Sequence, residues 1–457
     1  MTRGWIVGGA LRDELLGRRV TDVDVAVPGD PEPTARALAR EVRGPVFPLS
    51  EAFGAWRVID RREGRVYDVS ALQGDTIEED LAKRDFTVNA MARPLAELSA
   101  ATLAAPAAGP LVDPLSGHAD VESRTLRVIG AQAYDSDPLR ALRLARFAAE
   151  LGFEPDPETE RLTRAAAPRV PEAAGERIFA ELRRLVLAPG VLRGLAIADR
   201  VGLVRSVLPE LAELHDVEQS RYHHLDVYGH TIEVLERLLE LERQASGRLR
   251  AALDEPLADE LTRGQALRFG ALLHDIGKPA THAVRDEGRV TFIGHDRLGE
   301  QMVRDICRRL RTSERFSRFV EAITRQHLVL GFLVHERPLD RRAVYRYLRR
   351  TEPVEVEVTL LSCADRLATR GRKADEAIAA HLELAGELME AALDWREQGP
   401  PRSLVRGDEL ARELGIDRGP ELGRLLAELE EAAYAGEVTT RDEALGFARR
   451  LRDNSTR

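Results

Sequence analysis

Residues 21–27 read TDVDVAV, and the alternation of acid and apolar residues decides how the first third of the chain folds. On a strand, successive side chains leave on opposite faces, so Val23 and Val25 face a core while Asp22 and Asp24 share the other face. Their Cα atoms would stand about 6.6 Å apart, from a rise of roughly 3.3 Å per residue. Two like charges this close raise each other's ionisation cost, and shared cations remove that cost. An isolated D-x-D is also what a solvated strand face shows, so the surroundings decide. Upstream, IVGGALRDELLG sets Gly8 and Gly9 between a strand and a helix, where backbone N–H groups bind phosphate, with Arg12 one turn in. Downstream, Asp68 in VYDVS sits in another apolar strand and would bring a third carboxylate to the same cations. Two Mg²⁺ ions about 4 Å apart would activate an attacking hydroxyl and hold triphosphate oxygens.

Composition sets the frame for that reading. At 457 residues the chain exceeds what one hydrophobic core supports, so three or four domains or lobes are expected. The longest uncharged run, Leu98 to Val112, is broken by Pro106 and Pro110, reads as a loop and cannot span a membrane as a helix. The N-terminus lacks a long apolar core because Arg12, Asp13 and Glu14 follow almost at once, so a cytoplasmic protein is expected. Cys307 and Cys363 have no metal-like spacing, which suits a reducing compartment. The net charge of −10 argues on its face against a nucleic-acid partner, yet residues 140–205 carry 12 Arg against 9 acids, a local positive excess. Lys83, Lys278 and Lys373 are the only lysines, so cationic contacts come from Arg, the better bidentate partner for phosphate and base edges. Aromatics at 5 % leave little for a base-stacking platform, so RNA would be read mostly by shape and backbone.

The organisation predicted is an α+β chain in four parts. A small mixed α/β head over 1–135 is followed by a helical neck over 136–215, a His-rich helical domain over 216–395 and a helical tail over 396–457. The tail is set off by the linker-like QGPPRSLVRG at 398–407.

The motifs GGALRD, DVDV, KRDFTVNAMA (83–92) and DPLRALRLARFAAELGF (137–153), in this order, resemble the class II tRNA nucleotidyltransferases, the CCA-adding enzymes and their bacterial poly(A) polymerase relatives. The resemblance extends over nearly the whole chain. It implies a DNA-polymerase-beta-like nucleotidyltransferase head, followed by neck, body and tail that hold tRNA. By match, Gly9 and Arg12 would meet the nucleotide, beside the Gly8 already read as part of the phosphate turn, Asp22 and Asp24 the metals, and Arg84 the nucleotide or primer end. The implied reaction is template-free addition of CCA to a tRNA 3′ end from CTP and ATP. The near alternatives are addition of the terminal A alone or poly(A) synthesis.

The stretch SDPLR bears on which nucleotide enters. Asp137 and Arg140, at i and i+3 of a helix, would face one base edge together. A carboxylate accepts from the exocyclic amine of adenine or cytosine, and a guanidinium donates to adenine N1 or cytosine N3 and O2. Uracil and guanine place an acceptor against the acceptor and are rejected. Asp137 is also a natural N-cap with Pro138 as first helical residue. Arg143 continues the stripe. Arg146 lies about 180° round from Asp137 at 100° per residue, facing tRNA or another helix.

A second constellation lies in the third block. His230, the pair His274-Asp275 and the distant Asp365 come in the order seen in HD metal-dependent phosphohydrolases, whose divalent ion these four would bind. N/O ligands suit Mn²⁺, Ni²⁺, Mg²⁺ or a similar ion, and such a centre activates water against a phosphate ester. His295 and His327 either extend it to two metals, orient substrate, or are core or surface histidines; His223 and His224 are undecided. A protein that is only an HD phosphohydrolase and a non-catalytic RNA-binding scaffold are the competing readings. Substitution of Asp22, or of His274 and Asp275, separates them.

Overall fold

The structure, a computed structural model, describes residues 4–50, 54–95, 99–100, 103, 110–219, 225–285, 289–369 and 374–455. His223, His224 and most of the uncharged run 98–112 lie outside the described residues. The chain divides into two compact units, Met1–Leu208 and Pro209–Arg457. No helix among the described residues is long and apolar enough to cross a membrane.

In the first unit, β1 (Gly4–Val7), β2 (Asp22–Val27), β3 (Val46–Ser50), β4 (Ala55–Asp60), β5 (Arg65–Ala71) and β6 (Ala92–Leu95) form one sheet. Their order is β3-β4-β5-β2-β1-β6, with β2 and β5 parallel and every other neighbouring pair antiparallel. The TDVDVAV alternation behaves as expected: Val23 and Val25 are 2 % and 0 % exposed, while Asp22 and Asp24 stand on the open face. The alternation ends at Ala26 and Val27, both buried; Ala26 packs in a core with Val7, Ile77, Leu81 and Ala90. Register then concentrates charge at one place. Asp24 lies beside Val7 on one side and Asp68 on the other, and Asp68 lies beside Arg57.

The chain leaves β1 through Gly8, at φ 75, and enters α1 (Gly9–Leu15). Helices α2 (Arg140–Leu151) and α3 (Gly175–Leu187) follow later, α2 ending at Gly152 in the left-handed conformation. The helix Val191–Arg200 lies close against them. A Cβ at Gly194 would fall 2.4 Å from Leu185 Cδ1 and 2.7 Å from the Ala145 carbonyl.

The start of α2 corrects the expected N-cap. Asp137 closes the preceding helix Ala131–Ser136 with an extended backbone (φ −154, ψ 98), and α2 begins only at Arg140. The cause is local: the ring of Pro138 disfavours the helical region for the residue before it. Asp137 and Arg140 are therefore not at i and i+3 of one helix.

The second unit is helical. α4 (Val227–Gln244), α5 (Arg263–Leu273), α6 (His295–Leu310), α7 (Glu314–Gln326) and α8 (Glu355–Leu367) make up its first part. Thr262 and Gln265 close the start of α5 as a reciprocal capping box, which fixes where that helix begins and hence where it ends, at the His274-Asp275 pair. The helix Ala374–Gln398 runs across the expected boundary at residue 396. The helices Gly407–Leu414, Pro420–Ala435 and Arg441–Ser455 then pack around a core that includes Leu410, Leu425, Leu429 and Ala444.

Candidate active site and metal cluster

The turn at Gly8 and the open face of β2 meet at one cleft. Glycine is required at this position by its backbone conformation, and a Cβ there would crowd Arg84 Nη1 at 2.8 Å and Asp24 Oδ2 at 3.1 Å. The Asp24 carboxylate is crowded enough that its pKa is raised, first by burial and then, against the pull of Arg84, by Asp68 and Asp22. Three carboxylates converge where two strand positions and a parallel neighbour place them.

Arg140, Arg143, Arg146, Arg12, Lys83, Arg84 and Arg184 line a cavity of about 370 Å³, against only Asp24 and Asp85 among the acids. Such a cavity attracts a polyanion. It is held by a chain of polar contacts through the fold. Arg12 Nη1 donates to Asn89 Oδ1 at 2.6 Å, and Asn89 Nδ2 donates to Asp85 Oδ1 at 3.0 Å. Arg143 Nη1 donates to Asp85 Oδ2 at 3.2 Å and its Nε to Glu181 Oε1 at 3.1 Å. Glu181 Oε2 accepts from Arg146 Nε at 2.5 Å, and Arg146 Nη1 reaches Glu150 Oε2 at 2.8 Å. Asp85 is fully enclosed; burial would raise its pKa, but Arg143, Asn89 and the Phe86 N–H hold it below the usual carboxylate range. Arg84 is anchored by Asp80, Nη2 to Oδ2 at 3.0 Å.

Three expected residues behave differently from their sequence reading. Asp68 gives both oxygens to Arg57, at 2.8 Å each, so its charge is already matched. Asp137 is absent from the cavity wall: Oδ1 accepts from the Leu139 N–H at 3.2 Å and Oδ2 from Arg177 Nη2 at 2.7 Å. Arg140 is on that wall, with Nη1 donating to the carbonyls of Arg84 and Ala133. Arg146 is 4 % exposed and meets another helix, one of the two partners the sequence allowed, through Glu181 of α3, yet it also stands beside Arg143 on the cavity wall. Counted from the true start of α2, it is about 120° from Arg140 with Arg143 between them. Asp85, Asn89, Glu181 and Arg57 were not singled out in the sequence. Asp85 and Asn89 stand within KRDFTVNA at helical spacing, a usable signal; Glu181 and Arg57 meet their partners only through space.

In the second unit, six expected side chains meet. His230 comes from α4, His274 and Asp275 from the end of α5, His295 opens α6, His327 follows α7, and Asp365 lies on α8. His230, His274 and Asp275 form one set of potential ligand atoms within 4.8 Å of one another, and Asp275, His295 and His327 form a second. Asp275 belongs to both. Its Oδ2 lies 3.1 Å from His274 Nε2 and its Oδ1 3.3 Å from His295 Nε2 and 3.6 Å from His327 Nε2. His230 Nε2 is 2.9 Å from Asp365 Oδ1.

The backbone fixes the ring tautomers. His274, His295 and His327 each place Nδ1 at 2.7–2.8 Å from a carbonyl, those of Ala271, Phe292 and Thr324. A carbonyl only accepts, so Nδ1 carries a proton in each ring and the neutral form turns its Nε2 lone pair inward; at His274, burial is outweighed by Asp275, which raises the pKa and favours the protonated ring. Burial, and next the neighbouring His274, push the His327 pKa down to about 4, which keeps that ring neutral. Asp275 is fully buried, yet His274 and Lys278 hold its pKa well below the usual range. Inward imidazole lone pairs around an ionised carboxylate fit divalent metal, and the N/O donors suit a transition ion. His295 and His327 are buried rather than surface side chains, and both turn Nε2 toward Asp275.

Comparison with known families follows the same division. A poly(A) polymerase head domain model matches residues 4–75 and 55–127, a model described as a probable RNA and SrmB-binding site of polymerase A matches 152–214, and an HD domain model matches 227–370. The A-adding tRNA nucleotidyltransferase of Deinococcus radiodurans is 38 % identical over 451 residues, covering 97 % of this chain and 94 % of its own. The CC-adding tRNA nucleotidyltransferase of Thermus thermophilus is 36 % identical over 450 residues, covering 96 % and 92 %. Among solved structures, Bacillus stearothermophilus CCA-adding enzyme in complex with CTP superposes with a TM-score of 0.63 at 22 % identity, covering 99 % of this chain and 94 % of that one. Thermotoga maritima CCA-adding enzyme complexed with tRNA gives 0.61 at 20 % identity, covering 98 % and 91 %. These two likenesses speak to the fold.

Proposed function

The chain belongs to the tRNA nucleotidyltransferase and poly(A) polymerase family, and we propose that it adds CCA to tRNA 3′ ends from CTP and ATP without a nucleic-acid template. The observation that carries this reading is Asp24 on the wall of an arginine-lined cavity, with Asp22 two residues before it on the same face of the strand. In the reaction, the tRNA 3′-hydroxyl attacks the α-phosphorus of the nucleotide in line, and pyrophosphate leaves.

The side chains divide the work. The raised pKa of Asp24 marks a carboxylate cluster that a hard cation would relieve, and its all-oxygen donors fit Mg²⁺. Held by Asp22 and Asp24, such ions would stabilise charge on the triphosphate and lower the pKa of the attacking hydroxyl. Asp68, clamped by Arg57, is a weaker candidate for the same ions. Gly8 and Gly9 leave room for the phosphates, and Arg12, Arg84 and Arg143 meet their charge. Arg140 presents its guanidinium to the base edge, Asp137 joins it once released from Arg177, and Arg146 backs that wall through Glu181. Residues 1–135 serve as head, 136–215 as neck, 216–395 as HD domain and 396–457 as tail; the spans of the three family models support the first three parts, and the helix Ala374–Gln398 links the third to the tail. A tRNA substrate supports a cytoplasmic location.

Extension of tRNA transcripts ending at the discriminator base, at C or at CC, with each NTP separately and mixed, tests the reading. Addition of CCA and then arrest supports it. The likeness to the Deinococcus A-adding relative favours a second outcome, extension of the CC-ended tRNA alone. Long A tails would make it a poly(A) polymerase. The six-residue cluster favours a further activity, metal-dependent hydrolysis of phosphate esters, with His230, His274, Asp275 and Asp365 as ligands and His295 and His327 completing a second site around Asp275.

A further inference from the structure

Behind the head sheet lies a cavity that the proposed reaction does not use. Its volume is about 350 Å³, and Ile6, Ala10, Val20 and Val23 supply its apolar surface. Strand register places it on the side away from the carboxylate cluster. Ile6 pairs with Val25, and Val23 with Tyr67, so by a period of two Ile6, Val23 and Arg65 share the face opposite Asp22 and Asp24. On α1, Ala10 and Glu14 stand one turn apart on this wall. Arg12 lies about 200° round from Ala10 at 100° per residue, on the wall of the nucleotide cavity.

Three guanidinia stand around the same cavity, from Arg18, Arg19 and Arg65. Arg18 Nη2 donates to the Glu150 carbonyl at 3.2 Å and Arg19 Nη2 to the Glu63 carbonyl at 3.3 Å, neutral acceptors that orient the groups and leave their charge unmatched. Glu14 is the one acid on the wall, and both its oxygens accept from Arg93 Nη1, at 2.8 and 3.0 Å. Burial sets Arg65 apart from an ordinary surface arginine: its Nη1 is enclosed with no hydrogen-bond partner. Among the described residues of the first unit, the other guanidinium nitrogens left in this way belong to Arg93, held by Glu14, and to Arg140, on the nucleotide cavity. A buried donor of this kind is costly until an acceptor reaches it.

We propose that this cavity is an effector site for a small apolar molecule ending in one anionic group, a carboxylate or a phosphate monoester. The apolar body lies on Ile6, Ala10, Val20 and Val23, and the anion among Arg18, Arg19 and Arg65, whose forked donors suit paired oxygens. No aromatic side chain on the wall offers a base a stacking face, which sets a nucleotide aside. The effect on the other face of the sheet runs through α1. Its seven residues make about two turns, so a body wedged under Ala10 shifts Arg12 from its 2.6 Å bond to Asn89 and weakens the hold on nucleotide. Nucleotide and effector then change each other's affinity by one factor. This coupling rests on the reading of Arg12 as a nucleotide contact; occupancy of the cavity does not.

The test titrates the full chain calorimetrically with octanoate and octyl phosphate, and with octanol and inorganic phosphate as the separate halves. At least one of the two amphiphiles should bind, the halves at least tenfold more weakly, and the tighter amphiphile identifies the anion. Arg65→Ala and the exposed pair Arg18→Glu, Arg19→Glu should each weaken that binding at least tenfold, with the melting temperature of the pair variant unchanged. A diazirine analogue of the tighter amphiphile should crosslink to peptides carrying Ala10 or Val20 to Val23. Saturating amphiphile should raise the Kd for ATP at least threefold, and ATP should raise the Kd for the amphiphile by the same factor. Binding of neither amphiphile, halves that bind as well, binding that survives the double charge reversal, or crosslinks confined elsewhere would overturn the site. A Kd for ATP indifferent to the amphiphile would overturn its role as effector. If ATP does not bind the parent, the nucleotide reading fails, and the titrations and crosslinks alone decide the site.

Discussion

The proposed reading gives Asp137 the choice of base, and its carboxylate is held by Arg177. That ion pair is half-exposed on the arginine side, and such pairs contribute about 0–1 kcal/mol. Arg177→Ala should therefore lower KM for CTP and ATP by up to about fivefold and leave kcat unchanged, read by steady-state incorporation; an unchanged KM would mean that Asp137 needs no release. Asp24 gives a second expectation at this scale. Its folded-state pKa is raised, so the folded chain holds a proton that the unfolded chain has already lost, and stability falls as pH rises through that window. Asp24→Asn should raise the melting temperature at pH 7, with the gain fading as pH is brought down to the ordinary carboxylate range. The same substitution should abolish incorporation. The placement of Asp22 and Asp24 on one open face was legible in the alternation of TDVDVAV, because a period of two exposes which residues share a face. The capture of Asp68 by Arg57 was not, since cross-strand register leaves no mark in either strand alone.

Elements carry what single residues do not announce. The arginines of α2 line the cavity because α3 supplies Glu181 to two of them, and that helix pair is set by close packing. Gly194 is the closest approach, with a virtual Cβ at 2.4 Å from Leu185 and 2.7 Å from the backbone of Ala145. Gly194→Ala should cost about 1–3 kcal/mol by overpacking, seen as a lower denaturation midpoint. KM for nucleotide should rise with it as the arginine wall shifts. Periodicity foretold a helix from DPLRALRLARF, but not that Pro138 would delay its start to Arg140 and so separate Asp137 from Arg140. In the second unit the order His, His-Asp, Asp was readable. That Asp275 would serve two sets of ligands at once was left open until three backbone carbonyls were seen to turn the rings inward.

For the whole molecule, two compact units with separate clusters of ionisable groups imply two separable chemistries. A metal bound only by the folded state stabilises it, by about 2.7 kcal/mol at a hundred times its Kd. Mn²⁺ or Ni²⁺ should therefore raise one of two calorimetric transitions, EDTA should reverse the shift, and His274→Ala should remove it while sparing the other transition. A shift that survives His274→Ala would place the metal elsewhere. Nucleotidyl transfer should depend on Asp22 and Asp24 and not on the histidine cluster of the second unit. The measurement that tests it most directly compares the parent, Asp22→Ala and His274→Ala in one assay, following incorporation of labelled ATP and CTP into tRNA. We expect Asp22→Ala to lose incorporation by at least a thousandfold and His274→Ala to retain it. Incorporation that survives Asp22→Ala, or that falls equally with His274→Ala, would contradict the account.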